Sequence, residues 1–312
     1  MTLDIGYLLP TRENVMQDTH AVAPLLDAAR LSQDLGFNSI WAGDSLLARP
    51  RHDPLTLLAA VAAVTPGMTV GTAVLLPALR NPVVLAQQLA TIDQVSAGRL
   101  IVGAGIAADL PAVRAEFAAA AVPFERRVGR MMEGFRLCRA LWQGQAVDWD
   151  GRWQLEQAHL GPLPARSGGP PIWIGTGTEA GITRCAKHFD GWFPIGPDVE
   201  TFHARNQQFI KAANAADRNM AHMTTALYLT LCVMDDAAAA EKQIDTYLEQ
   251  YYGAPAALLR QVQACKGGTL DQVLEFIRGY VQAGAHHLVL RLVGDHPATL
   301  HALAATRSEV HP

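Results

Sequence analysis

The sequence predicts a (β/α)8 barrel spanning 1–312 as one domain, with insertions after its fourth and seventh strands. Three observations carry this. Apolar runs alternate with helical stretches of 3.6-residue periodicity from one end to the other. The runs lack polar alternation, so their strands should be buried on both faces. Residues 68–105 hold one complete strand–helix–strand unit, the crossover that parallel strands require. There a strand over 68–76 turns through 77–82 into a helix over 83–95. After a break at Gly98 and Arg99 comes a second strand, 100–102, ending in Gly103, Ala104 and Gly105.

The other elements follow in order. Residues 3–9 read as a strand and 22–35 as a helix stopped by Gly36. A strand at 39–42 precedes Asp53, an N-cap, and Pro54, which opens a helix to 64. After the central unit, apolar spacing predicts a helix over 127–142. A hairpin of 147–149 and 152–154 should then close through Asp150 and Gly151. Strand five is 172–175, followed by a helix over 179–188, a strand at 191–193 and a helix over 200–213. A strand at 224–233, a long helical region to 278, a strand at 287–291 and a helix over 298–306 complete the chain. A doubly wound sheet is the alternative, but no GxGxxG follows the first strand.

Composition narrows the function. Half the residues are hydrophobic, 17% are charged and the net charge is −4, which fits a large core and argues against nucleic acid as a partner. No apolar stretch approaches the roughly 20 residues a bilayer span needs. Asp4 interrupts the first apolar run, so that run reads as a strand and not a signal peptide. Cys138, Cys185, Cys232 and Cys265 are scattered, without the spacing of a disulfide framework or zinc site. The expectation is a soluble, cytoplasmic protein without a metal.

In a barrel the chemistry lies at the C-terminal ends of the strands. Gly175, Thr176, Gly177 and Thr178 join strand five to a helix. They form either a phosphate seat of backbone N–H groups or an ordinary turn with Thr178 as N-cap. Asp44, ending strand two, either accepts a proton or hydrogen-bonds its own loop. Ser45 and the loop histidine His52 lie close by in sequence. Arg126, Arg127 and Arg130 read as helix-surface ion pairs, one of which would reach an anionic cofactor. His286, His287, Asp295 and His296 lack a third convergent ligand. Asp44, Asp109, Asp190 and Asp295 lack the aromatic platform of a glycosidase. Segments 106–126 and 235–269 are too long to be connectors. Their Phe117, Phe124, Tyr247, Tyr251 and Tyr252 point to lids over an apolar substrate. The Ala-rich helices permit close packing, within the chain or across a homodimer seam.

Several stretches in fixed order, GFNSIWAGDS (36–45), 79–105, FERRVGRMMEGFRLCRALW (124–142), DGRW (150–153) and PPIWIGTGTEAGITRCAKHFDGWF (170–193), resemble the bacterial-luciferase-like flavin-dependent oxidoreductases. The resemblance spans about 3–294. It implies reduced FMN or the deazaflavin coenzyme F420 in the barrel mouth, with its phosphate on Gly175, Thr176, Gly177 and Thr178. Leu8, Ala73 and Val74 would line the ring, at a bulge where such barrels often carry a non-prolyl cis peptide. Gly103 and Gly105 would leave the ring room. Many relatives carry an acid–His pair at strand two, whereas this chain has Asp44 and Ser45. One of these, or His52, would take the imidazole's place. The resemblance therefore implies a monooxygenase using reduced FMN on a small apolar molecule, the FMN delivered by a separate reductase because no dinucleotide fingerprint is present. The alternatives are an F420-dependent dehydrogenase and a non-catalytic flavin-binding barrel.

Overall fold

Eleven strands appear in a computed structural model that describes residues 3–196 and 198–310. They are β1 (Asp4–Leu8), β2 (Ser39–Ala42), β3 (Thr69–Thr72), β4 (Leu100–Ala104), β5 (Val147–Asp150), β6 (Gln154–Ala158), β7 (Ile172–Ile174), β8 (Gly191–Trp192), β9 (Thr224–Val233), β10 (Cys265–Gly268) and β11 (His287–Leu292). β1, β2, β3, β4, β7, β8, β9 and β11 pair in parallel and close on themselves, β11 returning to β1 and β8 to β9. This is the (β/α)8 barrel. The core strands are buried on both faces, as the unbroken apolar runs required.

Alternate strand residues turn inward and fill the barrel. Leu8, Trp41, Ile101, Trp173, Phe193, Ala226, Tyr228 and Val289 form one cluster there. Trp41 and Trp173 lie 5.5 Å apart, and His287 stands edge-on to Trp173 at 5.1 Å. Ser39 Oγ accepts from the Trp41 indole and hydrogen-bonds His287 at 2.8 Å, so the polar atoms among these rings have partners. Gly71 has no side chain because the Trp41 ring occupies the space a Cβ would need. A second, larger cluster joins the outward strand faces to the helices.

Asp53 caps the helix Pro54–Val64 through Thr56 N at 2.8 Å, and Gly36 takes the left-handed conformation (φ 82°) after Ala23–Asp34, as their residue types predict.

Four expectations change. A short helix, Thr11–Met16, follows β1 where no periodic apolar pattern marks one. β3 stops at Thr72, short of 76; the Ala73–Val74 peptide beyond it is cis, and Leu75 returns to Ala104 as a single bridge. The hairpin turns over Gly151, Arg152 and Trp153, because Glu133 holds the Arg152 N–H and guanidinium inside the turn. The long region after β9 is not all helix. Its helices Ala237–Tyr252 and Ala256–Leu259 lead into β10, which runs beside the C-terminal half of β9.

Candidate active site

The C-terminal mouth of the barrel gathers most of the residues expected there. Leu8, Ala73 and Val74 pack with Trp41, Phe193 and Tyr228 at the top of the inner cluster. A Cβ on Gly105 would stand 2.8 Å from one Val74 methyl. One on Gly175 would stand 3.4 Å from the other, and 3.3 Å from the Phe193 carbonyl oxygen. Val74 therefore sits in a notch that two glycines make. At Gly103 the structure gives a packing reason in place of ring space, since a Cβ there would collide with the Thr72 carbonyl of the next strand.

The turn after β7 caps its helix through Thr178 and leaves Gly177 open. Thr178 caps the helix Glu179–His188 by accepting from Gly181 N at 3.2 Å, and the Thr176 carbonyl accepts from the Trp192 indole at 2.8 Å. Gly177 is exposed, beside the remaining first-turn N–H groups, which have no intrahelical partner. A Cβ on Gly177 would meet Arg205 Nη1, on the helix Val199–Asn214, at 3.2 Å. Glu179 and Glu200 line the same groove, so an anion seated there relies on Arg205 to offset them.

The strand-two residues are engaged in holding their loop. The Asp44 side chain is 1% exposed and meets Arg80 through both oxygens, one at 3.0 Å from Nη2, while also accepting from Leu76 N at 2.8 Å. Ser45 donates to Glu116 at 2.8 Å and accepts from Arg49 N at 2.9 Å. Buried Glu116 also receives the N–H groups of Leu46, Leu47 and Ala48. His52 Nε2 faces the His20 carbonyl at 3.1 Å. Of the three arginines expected as ion pairs, Arg127 and Arg130 donate to the backbone carbonyls of Ile106 and Ala78.

Phe117 and Phe124 are not open to a ligand. They stack edge-on at 5.2 Å inside a satellite cluster with Val113 and Val122. The tyrosines of the second insertion do cover the mouth, but they surround a cation. Arg291, at the end of β11, is 1% exposed and lies 4.8–5.4 Å from the rings of Tyr228, Tyr247, Tyr251 and Tyr252. It donates to Thr230 (2.8 Å), Tyr252 (2.9 Å) and Gln263 (2.9 Å). Burial disfavours its charge, but the surrounding tyrosine oxygens more than offset that and hold the guanidinium protonated. Burial likewise pushes the Tyr228 phenol well above its ordinary range. The sequence places Arg291 at a C-terminal strand end without giving it a role, yet it is the one charge inside the apolar run HLVLRL, and Tyr247 and Tyr251 share a helix face at i, i+4.

Among the described residues no cluster of His, Cys, Asp and Glu suits a metal. All four cysteines are free, and burial pushes the Cys138 thiol up to about 12. No helix of the described residues is long and apolar enough to cross a membrane.

Comparison with known proteins gives this mouth its context. An F420-dependent glucose-6-phosphate dehydrogenase of Mycolicibacterium smegmatis is 27% identical over 299 residues, covering 86% of this chain and 88% of that protein. Among solved structures, an F420-dependent secondary alcohol dehydrogenase in complex with an F420–acetone adduct superposes with a TM-score of 0.85 at 17% identity. It covers 99% of both chains. A monooxygenase from Streptomyces bottropensis superposes with a TM-score of 0.81 at 23% identity, over 97% of this chain and 98% of that one. The model of the luciferase-like monooxygenases matches residues 3–295, and the chain belongs to that family.

Proposed function

We propose that this chain is a deazaflavin-dependent dehydrogenase or reductase, which moves a hydride between coenzyme F420 and a small organic substrate in the barrel mouth. One observation carries the choice of cofactor. Relatives that align with 86% of the chain at 27% identity are named F420-dependent dehydrogenases.

The residues present fit such a group. The half-buried Ala73 and Val74, with Leu8 beneath, offer an apolar face for a flat ring. Gly177, unobstructed except by Arg205, offers backbone N–H groups to a phosphate. When bound, the deazaflavin supplies a ring carbon that gives or accepts a hydride. The protein's part is to hold the ring, orient the substrate and exclude water. The Trp41, Trp173 and Phe193 rings close the pocket from below. Asp44 and Ser45, whose hydrogen bonds are spent on Arg80 and Glu116, position the loop and take no proton in this reading.

The family's own description favours a second reading, oxygen-using chemistry on reduced FMN supplied by a partner reductase. Titrating the chain with each cofactor separates the two. The expected result is F420 affinity at least about tenfold above FMN, a difference of about 1.4 kcal/mol, with turnover in the absence of oxygen. Tighter FMN binding with substrate-coupled oxygen consumption would reverse the order. Binding without any turnover would favour the non-catalytic barrel.

A further inference from the structure

Four guanidinium groups gather over the mouth, and none forms a salt bridge with a carboxylate among the described residues. Arg12 and Arg291 each lie 4.8 Å from the centre of the Tyr251 ring, and Arg51 lies at 5.8 Å. Arg49 lies 4.8 Å from the adjoining Tyr252 ring. Elsewhere in the chain arginines meet carboxylates, as Arg80, Arg152 and Arg260 do. Others are spent on backbone carbonyls, as Arg99, Arg127 and Arg166 are. Like charges brought together away from water repel, and cation–π contacts of about 0.5–2 kcal/mol offset only part of that cost. Glu13, the carboxylate whose field reaches Arg12 and Arg51, offsets part of it but forms a salt bridge with neither and accepts from the Tyr247 hydroxyl.

One of the donors is also unused. Arg12 Nε is buried with no hydrogen-bond partner, while its Nη2 donates to the Tyr251 carbonyl at 2.9 Å. Arg51 Nε donates to the Arg49 carbonyl at 3.1 Å, and its Nη1 lies against Gly43 on the side that also faces the Ala73 carbonyl. The cluster therefore adjoins the bulge assigned to the ring. Arg291, with its donors committed to Thr230, Tyr252 and Gln263, contributes charge beneath it.

We infer that Arg12, Arg51 and Arg291 form a seat for an oxyanion, so the substrate is a small molecule bearing a carboxylate or phosphate. The fork of an arginine matches either group through paired N–H donors. This assignment rests on the mouth being the substrate pocket of the proposed reaction.

Calorimetric titration of the full chain with inorganic phosphate, against chloride of equal ionic strength, reads the seat. Quenching of deazaflavin fluorescence reads the cofactor separately. Arg12→Met and Arg51→Met should each weaken phosphate binding about tenfold or more, as loss of a charged hydrogen bond does. Arg30→Met, at an exposed arginine paired with Asp27, should leave it unchanged. Arg12→Lys and Arg51→Lys, which keep the charge and guard against misfolding, should retain part of the affinity. Deazaflavin affinity should be the same in all of these variants. Absence of phosphate binding, or equal weakening in Arg30→Met, overturns the seat. Displacement of phosphate by saturating deazaflavin overturns its assignment to the substrate and gives it to the cofactor. Phosphate binding in a chain with no affinity for deazaflavin or FMN upholds the seat and removes the functional reading on which the substrate assignment stands.

Discussion

At the residue scale, a side chain's surroundings decide between two roles that its identity leaves open. Asp44 ends strand two, where its residue type allows an acid–base role, but here it is closed off by Arg80 and Leu76. Asp44→Asn should therefore cost roughly 1.5–3 kcal/mol of stability, since it leaves the mostly buried Arg80 guanidinium with only the half-exposed Asp53 as its anion, and a lowered urea midpoint would register it. Retained stability with lost turnover would return Asp44 to chemistry. Gly177→Val should do the reverse. Its turn is exposed and its φ is ordinary, so folding survives, while the added branch crowds Arg205 and the open N–H groups. Cofactor titration should show the loss without any change in melting temperature. The small residues of the site were legible in sequence because glycine and alanine announce close approach. Arg291 was not, because nothing in a strand run says which tyrosines another segment will place around its one charge.

At the element scale, the helix Ala237–Tyr252 brings three of the four tyrosines to the mouth. Asp236 caps it, accepting from Ala238 N at 2.9 Å and Ala239 N at 3.1 Å, and Gly253 ends it in the left-handed conformation at φ 67°. Asp236→Ala should cost about 1 kcal/mol and speed amide exchange in this helix, raising the KM for substrate more than it lowers kcat. Unaltered exchange would mean that packing against Arg291 and not the cap holds the helix. The sequence marked Thr224–Val233 to the residue, since ten β-branched and apolar positions in a row leave few alternatives. It missed β10, because Cys-Lys-Gly-Gly carries no strand propensity. Those residues are extended by β9 alongside, and Gly267 is needed there because the Ala240 backbone lies against it.

At the scale of the whole molecule, the described histidines set an acid limit. Burial lowers His296, which hydrogen-bonds the Tyr7 hydroxyl at 2.7 Å, below its ordinary value of 6.5, and burial lowers His286 as well. The folded chain thus binds fewer protons than the unfolded one. Their contribution to stability is complete above about pH 6.5 and is lost as pH falls toward the folded values. Melting temperature should be level from about pH 7 to 8 and decline below about 6.5, and His296→Gln should flatten that decline. An unchanged slope would place the acid sensitivity in the carboxylates.

One consequence follows from the way β9 shares an edge. β8 takes only Thr224 and Thr225, leaving Thr230–Val233 on the same side to β10. The tyrosine-bearing flap is thereby laced into the wall by main-chain bonds, and it cannot swing clear without unzipping part of the cylinder. The other insertion has no such main-chain seam: its helix Pro111–Ala119 is moored by one buried carboxylate, Glu116, to the loop after β2.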